Sequence, residues 1–312
     1  MATAEHATPP SGREGAPLTG TKPSVVVRAK NEQEAIGLAL AGLRAQTIDT
    51  EIILVDSGST DRTIEIARPY CDEIVSIAAE AFSYGGSLNL GVQRCAGEIV
   101  FALSAHCAPP SPSWVEQSLE AYTDDQVAGT FGCRTGPDGT TLSSATKFRL
   151  ADLSAGPTWG FTNQGSSWRR RVWEGFPFNE QLVACEDKEW MWRVLAAGFC
   201  VVADPRLIVE GGHRRRAGIR ALYQRVHREH LVLAELLDYP RLNTPTLLRR
   251  WWSDFPDPSS YPNWQRRLSP MRSVELLGEF TGDVAGSRRR GEQTRATSPW
   301  ETAPGPTTGK VG

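Results

Sequence analysis

The chain has 312 residues, a formal net charge of −2 and 40% hydrophobic residues. This length is sufficient for one large α/β domain with extensions or for two modest domains, and for a sizeable hydrophobic core. The small net charge predicts no partner by itself, and no uncharged apolar run reaches the roughly 18 residues that span a bilayer.

The 6 cysteines form no C-x-x-C pair, and several of them lie inside apolar runs. This usage is typical of reduced thiols in a cytosolic protein. The first residues lack the apolar stretch of a signal peptide. We therefore expect a soluble, cytoplasmic protein that is at most peripheral to the inner face of the membrane.

Short apolar runs and helical patterns alternate along the first 125 residues. Residues 1–22 are rich in Ala, Pro, Gly and Thr and are predicted to be a disordered leader. Strands are predicted at 24–27, 51–54, 73–77 and 98–103, each followed by a helix or by a turn into a helix. The alternation predicts an α/β fold with a mostly parallel central sheet and helices on both faces.

The pattern changes after residue 126. A strand is predicted at 127–133, whereas 141–182 is irregular and rich in Gly, Trp and Arg. A helix, a strand and a long helix follow at 186–198, 199–203 and 218–237. We predict one main domain at 23–238 with halves at 23–125 and 126–238, a helical and irregular C-terminal extension at 239–282, and a disordered tail at 283–312.

The stretch from Val55 to Asp61, VDSGSTD, follows an apolar strand and precedes a helix. It therefore lies at the carboxyl edge of the sheet, where ligands bind in open α/β folds. The Asp56 carboxylate could accept hydrogen bonds from a base N–H or from ribose hydroxyls, and Ser57 and Gly58 keep the turn small. The alternative is an ordinary strand–helix turn whose polar residues cap the helix.

Six motifs occur in the order found in family 2 glycosyltransferases. They are Asn31-Glu32, VDSGSTD at 55–61, SLNLG at 87–91, AGEIV at 96–100, GFPFNE at 175–180 and EDKEW at 186–190. The sequence therefore resembles this family, and in particular bacterial members with the A-type fold. The resemblance implies a single Rossmann-like A-type glycosyltransferase domain that moves a sugar, with inversion, from a nucleotide diphosphate sugar to an acceptor hydroxyl.

The resemblance assigns the nucleotide-sugar pocket to residues near the ends of the first strands. Asp56 would contact the base or the ribose. Arg28 and Lys30 are cations in this pocket, so contact with the diphosphate is physically reasonable, and the alternative is a solvated charge pair. Asn89 would lie near the donor or support that loop, or would only cap a helix. The other expected pocket residues are Asn31, Glu32, Ser57, Ser104 and His106.

The chain departs from the family pattern at Ser104-Ala105-His106. The family usually carries Asp-x-Asp there, and the second carboxylate binds the Mg²⁺ or Mn²⁺ that neutralises the leaving diphosphate. His106 could ligate Mn²⁺ through a neutral imidazole, contact the diphosphate without a metal, or be structural. His213 lies where some relatives place a late histidine that faces the diphosphate or the metal. Metal dependence is therefore left open.

Glu186 and Asp187 begin a predicted helix. Inverting transfer needs a carboxylate that takes the proton of the acceptor hydroxyl. By resemblance, Asp187 is this base, and Glu186 holds the acceptor or orients the base. The alternative is that both acids only favour the helix dipole in the first turn.

Four aromatic residues lie between the two halves of the expected site, namely Trp159, Phe161, Trp168 and Trp173. Most are predicted to be core, and Trp159 is the best candidate for stacking on an acceptor sugar. His227 and His230 are three residues apart on a predicted helix, but no third ligand is evident. We therefore expect packing or solvated roles for them rather than a zinc site.

The segment 213–250 carries nine Arg against three acidic residues, with Leu and Tyr interleaved. Together with Trp251 and Trp252, this pattern predicts either peripheral membrane contact through 213–252, near a lipid-linked acceptor, or a solvated basic helix. Nucleic-acid binding fits poorly, because no recognised module accompanies the charge.

The leading hypothesis is an inverting, nucleotide-sugar-dependent hexosyl or deoxyhexosyl transferase with a lipid-linked, saccharide or natural-product acceptor, in cell wall or secondary metabolite glycosylation. The missing carboxylates at Ser104 and His106 motivate an alternative, a non-catalytic nucleotide-sugar or carbohydrate binding protein. A nucleotidyltransferase is disfavoured, because the first strand end lacks a Gly-rich, Arg-bearing loop.

Overall fold

A computed structural model describes residues 21–153, 159–211, 218–237, 244–245 and 270–293. The chain divides into two compact units. The first, here the sheet unit, comprises Met1–Leu182 and Glu186–Gly212, and the second, here the helix-pair unit, comprises Val183–Cys185 and His213–Gly312. The division at His213 falls earlier in the chain than the boundary at 238 that the sequence suggested.

The sheet unit is built on an eight-stranded sheet with the strand order β3-β2-β1-β4-β8-β6-β9-β7. The first four strands in this order are parallel to their neighbours, whereas β8 is antiparallel to β4 and β6, and β7 is antiparallel to β9. The predicted mostly parallel sheet is confirmed. The strands are β1 Ser24–Ala29, β2 Glu51–Asp56, β3 Glu73–Ser76, β4 Ile99–Ser104, β6 Val127–Gly132, β7 Thr146–Phe148, β8 Gly165–Arg169 and β9 Cys200–Asp204, with β5 Cys107–Ala108 and β10 Glu210–Gly211 in a separate antiparallel pair.

Helices cover both faces of this sheet, as predicted. Alternate residues of β1 point to opposite faces, so Val25 and Val27 join one buried cluster and Val26 joins the other. Leu40 of α1 packs in the first cluster, and Leu88 of α3 packs in the second. The helices of this unit are α1 Ile36–Arg44, α2 Thr63–Ala67, α3 Tyr84–Arg94, α4 Trp114–Leu119, α5 Arg170–Gly175 and α6 Glu186–Ala196.

The stretch 141–182, predicted to be irregular, contains β7, β8 and α5. Strand β8 lies in the middle of the sheet and is buried along its whole length. Its sequence, GSSWR, carries no apolar alternation because hydroxyl groups take the place of apolar contacts. The Ser167 hydroxyl lies 2.7 Å from those of Ser118 and Tyr122 and 2.8 Å from that of Thr130.

The helix-pair unit contains α7 Ile219–Leu236 and α8 Pro270–Gln293. A Cβ atom placed on Gly278 would lie 3.1 Å from Val226, and one on Gly286 would lie 2.8 Å from Ala234. Residues later in α8 thus contact residues later in α7, so the two helices run parallel. Helix α8 continues to Gln293, whereas the sequence predicts a disordered tail from residue 283. The predicted start of the tail is therefore about ten residues too early.

Among the helices in the described ranges, none combines the length and the hydropathy that a membrane span requires. Much of the basic segment 213–252 lies outside the described residues.

Candidate active site

The carboxyl ends of three neighbouring strands bring the predicted nucleotide-pocket residues to one edge of the sheet. Ala29 at the end of β1 pairs with Asp56 at the end of β2, and Arg28 pairs with Ser104 at the end of β4. The backbone N–H of Ser57 donates to the Ala29 carbonyl at 2.9 Å. Parallel strands expose unpaired backbone groups at this edge, so it is a natural place for a polar ligand.

The first turn of α6 is attached to the same edge through Asn163. The Ser104 N–H donates to the Gln164 carbonyl at 3.0 Å, which places Asn163 beside β4. The backbone N–H of Asn163 donates to Asp187 Oδ2 at 3.1 Å, and its side-chain amide donates to Glu186 Oε1 at 3.2 Å. Sequence analysis did not identify Asn163, which lies in a stretch without a motif.

Asp56 holds its own turn with one oxygen and leaves the other without a partner. Oδ2 accepts hydrogen bonds of 3.0 Å from the backbone N–H groups of Gly58 and Ser59. Gly58 has φ 79°, which glycine adopts without the steric cost of a Cβ. Oδ1 is buried and lacks any hydrogen-bond partner among the described residues. A buried acceptor left unpaired costs about 1–3 kcal/mol, so a ligand that donates to Oδ1 gains that amount back.

The loop after β1 is tied to the loop after β2. Asn31, which adopts φ 54°, receives a 2.8 Å hydrogen bond from Thr60 N–H and donates its own N–H to Ser59 Oγ at 2.9 Å. The N–H of Glu32 donates to Thr63 Oγ1 at 2.7 Å. The Asn31 side chain therefore braces the Asp56 turn, and Lys30 is exposed beside it.

Glu32 supplies a carboxylate beside His106, at the place where the sequence lacks Asp-x-Asp. Glu32 Oε1 lies 3.3 Å from His106 Nδ1, and the Ser104 hydroxyl lies 3.0 Å from His106 Nε2. One imidazole nitrogen and one carboxylate oxygen form a donor set that suits Mn²⁺. The residues present therefore fit a divalent ion shared with a diphosphate. His213 lies outside the described residues.

Arg28 lies inside the site rather than in solvent. Its Nη1 donates to the Tyr84 carbonyl at 2.8 Å and lies 3.6 Å from Glu186 Oε1. The guanidinium also lies 5.7 Å from the centre of the Tyr84 ring, within the range of a cation–π contact. Arg28 thus connects the end of β1 to the start of both α3 and α6.

The two acids of α6 have different surroundings. Glu186 is buried, and burial followed by the negative charge of Asp187 raises its pKa above the ordinary value. Asp187 is half-buried and accepts from the N–H groups of Asn163 and Lys188. Glu186 therefore holds its proton to higher pH than an ordinary glutamate does, next to the hydrogen-bonded carboxyl of Asp187.

Asn89 is buried in α3 and uses its whole hydrogen-bonding capacity within the protein. Its Oδ1 accepts from Trp173 Nε1 at 2.9 Å and from Phe178 N–H at 3.0 Å. Its amide donates to the Phe178 carbonyl at 2.9 Å and to Glu180 Oε1 at 2.8 Å. Nothing remains for a donor sugar, so the geometry favours the supporting role that the sequence left open.

Trp159, expected at the acceptor cleft, packs on two aromatic side chains. Its ring centre lies 5.0 Å from that of Phe148 and 5.5 Å from that of Phe131, and its Nε1 donates to the Thr135 carbonyl at 2.7 Å. These contacts do not bring Trp159 to the residues of the sheet edge. Phe161, Trp168 and Trp173 are buried, as predicted for core residues.

Comparison with known proteins gives one family and several relatives. Residues 24–173 match the family described as Glycosyl transferase family 2. The chain is 28% identical over 199 residues to the glycosyltransferase AglE of Haloferax volcanii, covering 58% of this chain and 64% of the relative. It is 25% identical over 182 residues to the O-antigen chain rhamnosyltransferase WbaN of Salmonella anatum, covering 53% of this chain and 57% of the relative. The match thus spans about three fifths of each relative.

The fold also matches a solved structure, a mannosyltransferase from Pyrobaculum calidifontis in complex with GDP-Man and Mn²⁺. The TM-score is 0.60 with 16% sequence identity, and the match covers 94% of this chain and 91% of that one. At this identity the likeness concerns the fold alone.

Proposed function

Because residues 24–173 of this chain belong to glycosyl transferase family 2, we propose that the protein transfers a sugar from a nucleoside diphosphate sugar to an acceptor hydroxyl with inversion at the sugar carbon. The observation that carries the proposal is the shared sheet edge. It brings the unpartnered Asp56 oxygen, the Arg28 guanidinium and the Glu186–Asp187 pair into one line of connected residues.

The donor binds at the Asp56 end. The buried Oδ1 of Asp56 accepts a hydrogen bond from a base N–H or a ribose hydroxyl, and the Asn31 and Ser59 contacts hold that turn in place. Arg28 faces the diphosphate with a charge that is already ordered by Tyr84, so little side-chain entropy is lost on binding.

His106 and Glu32 bind the divalent ion that balances the negative charge of the diphosphate. We assign them as the two protein ligands of a Mn²⁺ or Mg²⁺ ion, because Glu32 restores the carboxylate that the 104–106 triplet lacks. When bound, such an ion neutralises the negative charge that develops on the leaving diphosphate.

Transfer takes place at the Asp187 end. Asp187 removes the proton of the acceptor hydroxyl while that oxygen attacks the anomeric carbon, and the bond from this carbon to the diphosphate oxygen breaks. Asn163 holds the Asp187 carboxylate, and Glu186, whose pKa is raised by burial, orients the acceptor through a hydrogen bond. A saccharide or lipid-linked acceptor agrees with the O-antigen role in the name of one relative.

A non-catalytic binding protein is the weaker candidate, because binding alone does not need a buried acid beside a positioned carboxylate. The test is a panel of UDP-, GDP- and dTDP-sugars, with and without Mn²⁺, followed by thermal shift and by donor turnover. We expect one nucleotide class to stabilise the protein and its sugar to be released or transferred. Tight donor binding without turnover over saccharide and lipid-linked acceptors would favour the binding protein instead.

A further inference from the structure

The helix-pair unit contains three side chains with metal-ligating atoms that come together from distant parts of the sequence. They are His230 on α7 and Glu279 and Asp283 on α8. One ligand atom from each residue lies within 4.8 Å of the others. His230 and Asp283 are buried, and Glu279 is half-buried. None of the three belongs to the candidate active site.

The parallel packing of α7 and α8 explains why these side chains meet. Gly282 has no side chain, and a Cβ placed there would lie 2.5 Å from the His227 carbonyl and 2.8 Å from His230 Cβ. The backbone of α8 therefore passes close to His230. Asp283 follows Gly282 directly, and Glu279 lies one helical turn before Asp283 on the same face.

The His230–Asp283 contact gives one ligand a fixed orientation. His230 Nδ1 lies 3.0 Å from Asp283 Oδ1. His230 is 9% exposed and Asp283 is 2% exposed, so solvent competes little with an ion for their ligand atoms. Imidazole nitrogen and carboxylate oxygen both coordinate divalent transition metal ions.

We propose that His230, Glu279 and Asp283 bind a divalent transition metal ion, with Zn²⁺ as the expected occupant. Imidazole nitrogen with carboxylate oxygen suits Zn²⁺, and three protein ligands leave a fourth position for water. Ligand atoms around a tetrahedral ion lie roughly 3.4 Å apart at bonds of about 2.0–2.2 Å. The three ligand atoms lie within 4.8 Å of one another, so coordination requires these side chains to move closer together.

The ion stabilises the helix-pair unit. It joins α7 to α8 through ligands that exist together only in the folded state, so its binding free energy adds to the free energy of unfolding. The expectation from sequence that His230 has a packing role is revised on this basis. The additional ligands are 49 and 53 residues further along. Glu279 lies near the end of the predicted helical and irregular extension, and Asp283 lies at the start of the predicted disordered tail.

The test uses the full chain, purified without an affinity tag. The metal content is measured by mass spectrometry, and Tm is measured after chelation and after addition of Zn²⁺, Mn²⁺ or Mg²⁺. We expect about one equivalent of zinc and a rise in Tm of at least about 3 °C at a hundredfold excess of zinc over its Kd. Glu279→Gln and Asp283→Asn should lose both.

Two controls separate this site from other histidines. His227→Gln removes an imidazole from the same helix that instead lies 2.9 Å from the Thr281 hydroxyl, and it should keep the zinc response. His106→Ala should keep it as well, which excludes the candidate active site as the zinc ligand. If Asp283→Asn fails to fold, the half-buried Glu279→Gln carries the test. Absence of a zinc response in the wild type, or an equal response in Glu279→Gln, would overturn the proposal.

Discussion

Arg28 Nη1 lies 3.6 Å from Glu186 Oε1 and so connects the proposed donor half of the site to the proposed acceptor half. Burial and the charge of Asp187 raise the pKa of Glu186, and the smaller effect of the Arg28 guanidinium lowers it. We assign the same guanidinium to the donor diphosphate. A diphosphate bound to Arg28 would weaken the pKa-lowering effect of Arg28 on Glu186. We therefore expect donor binding to raise the pKa of Glu186 further.

The base assignment predicts that Asp187→Asn lowers the transfer rate by about 10²–10⁴-fold while donor binding stays within about threefold of wild type. An amide cannot take the proton of the acceptor hydroxyl, although it can still accept the Asn163 N–H. Glu174→Gln is the matched control, because it changes an exposed acid at the end of α5. Rates are measured by release of the nucleoside diphosphate. Equal rates in Asp187→Asn and wild type would remove Asp187 from its role.

The open oxygen of Asp56 predicts that Asp56→Asn weakens nucleoside diphosphate binding by about 10–100-fold, the value of a hydrogen bond to a charged group. In Asp56→Asn the amide oxygen can replace Oδ2 and keep the hydrogen bonds from Gly58 and Ser59. The NH₂ group then replaces Oδ1, so a donor stands where the ligand needs an acceptor. Titration calorimetry measures the affinity. Asp61→Asn, in the same loop, should bind normally, since among the described residues the Asp61 carboxylate accepts hydrogen bonds from Thr63 and Gln33. A comparable loss in both variants would attribute the effect to loop damage.

Because we assign His106 and Glu32 as ligands of the divalent ion, the effect of Mn²⁺ on nucleoside diphosphate affinity should depend on both residues. Mn²⁺ should strengthen nucleoside diphosphate binding by the wild type, and this gain should shrink at least tenfold in His106→Ala and in Glu32→Gln. Affinities with and without Mn²⁺ are compared for the three proteins. A His106→Ala defect of the same size in both conditions would instead assign His106 to direct contact with the diphosphate.

The raised pKa of Glu186 predicts a pH-dependent cost to stability. Between the ordinary glutamic value of 4.5 and the higher folded value, the folded state binds more protons than the unfolded state, so the free energy of unfolding falls as pH rises through this window. Glu186→Gln carries no such proton. The difference in Tm between the variant and the wild type should therefore shift in favour of the variant from pH 5 to pH 8. A constant difference across this range would contradict the raised pKa.

The sheet unit could be predicted from sequence wherever apolar runs end in polar turns. The strands β1, β2 and β4 have this form, so the sequence alone places Arg28, Asp56 and Ser104 at one edge. Strand β8 was not predicted because it lacks an apolar run, and its buried Ser167 hydroxyl instead contacts residues 118, 122 and 130, which are distant in sequence.

Two further features lay beyond sequence patterns for a similar reason. Asn163 acts through its backbone N–H as well as its side chain, and a backbone donor leaves no signature in residue type. The C-terminal part of α8 is rich in Gly and Arg, a composition that also suits disorder. It becomes helical where Gly282 and Gly286 fit against the backbone of α7.

The four hydrogen bonds of the Asn89 side chain within the protein restrict which residue can stand at this position. Aspartate would place a second oxygen against the Phe178 carbonyl and the Glu180 carboxylate. Leucine would leave the indole N–H of Trp173 and the N–H of Phe178 without an acceptor. Only an amide of this length offers two acceptor and two donor directions together. Selection for folding alone would thus keep asparagine here, and invariance at this site in a mutational library would report architecture instead of chemistry.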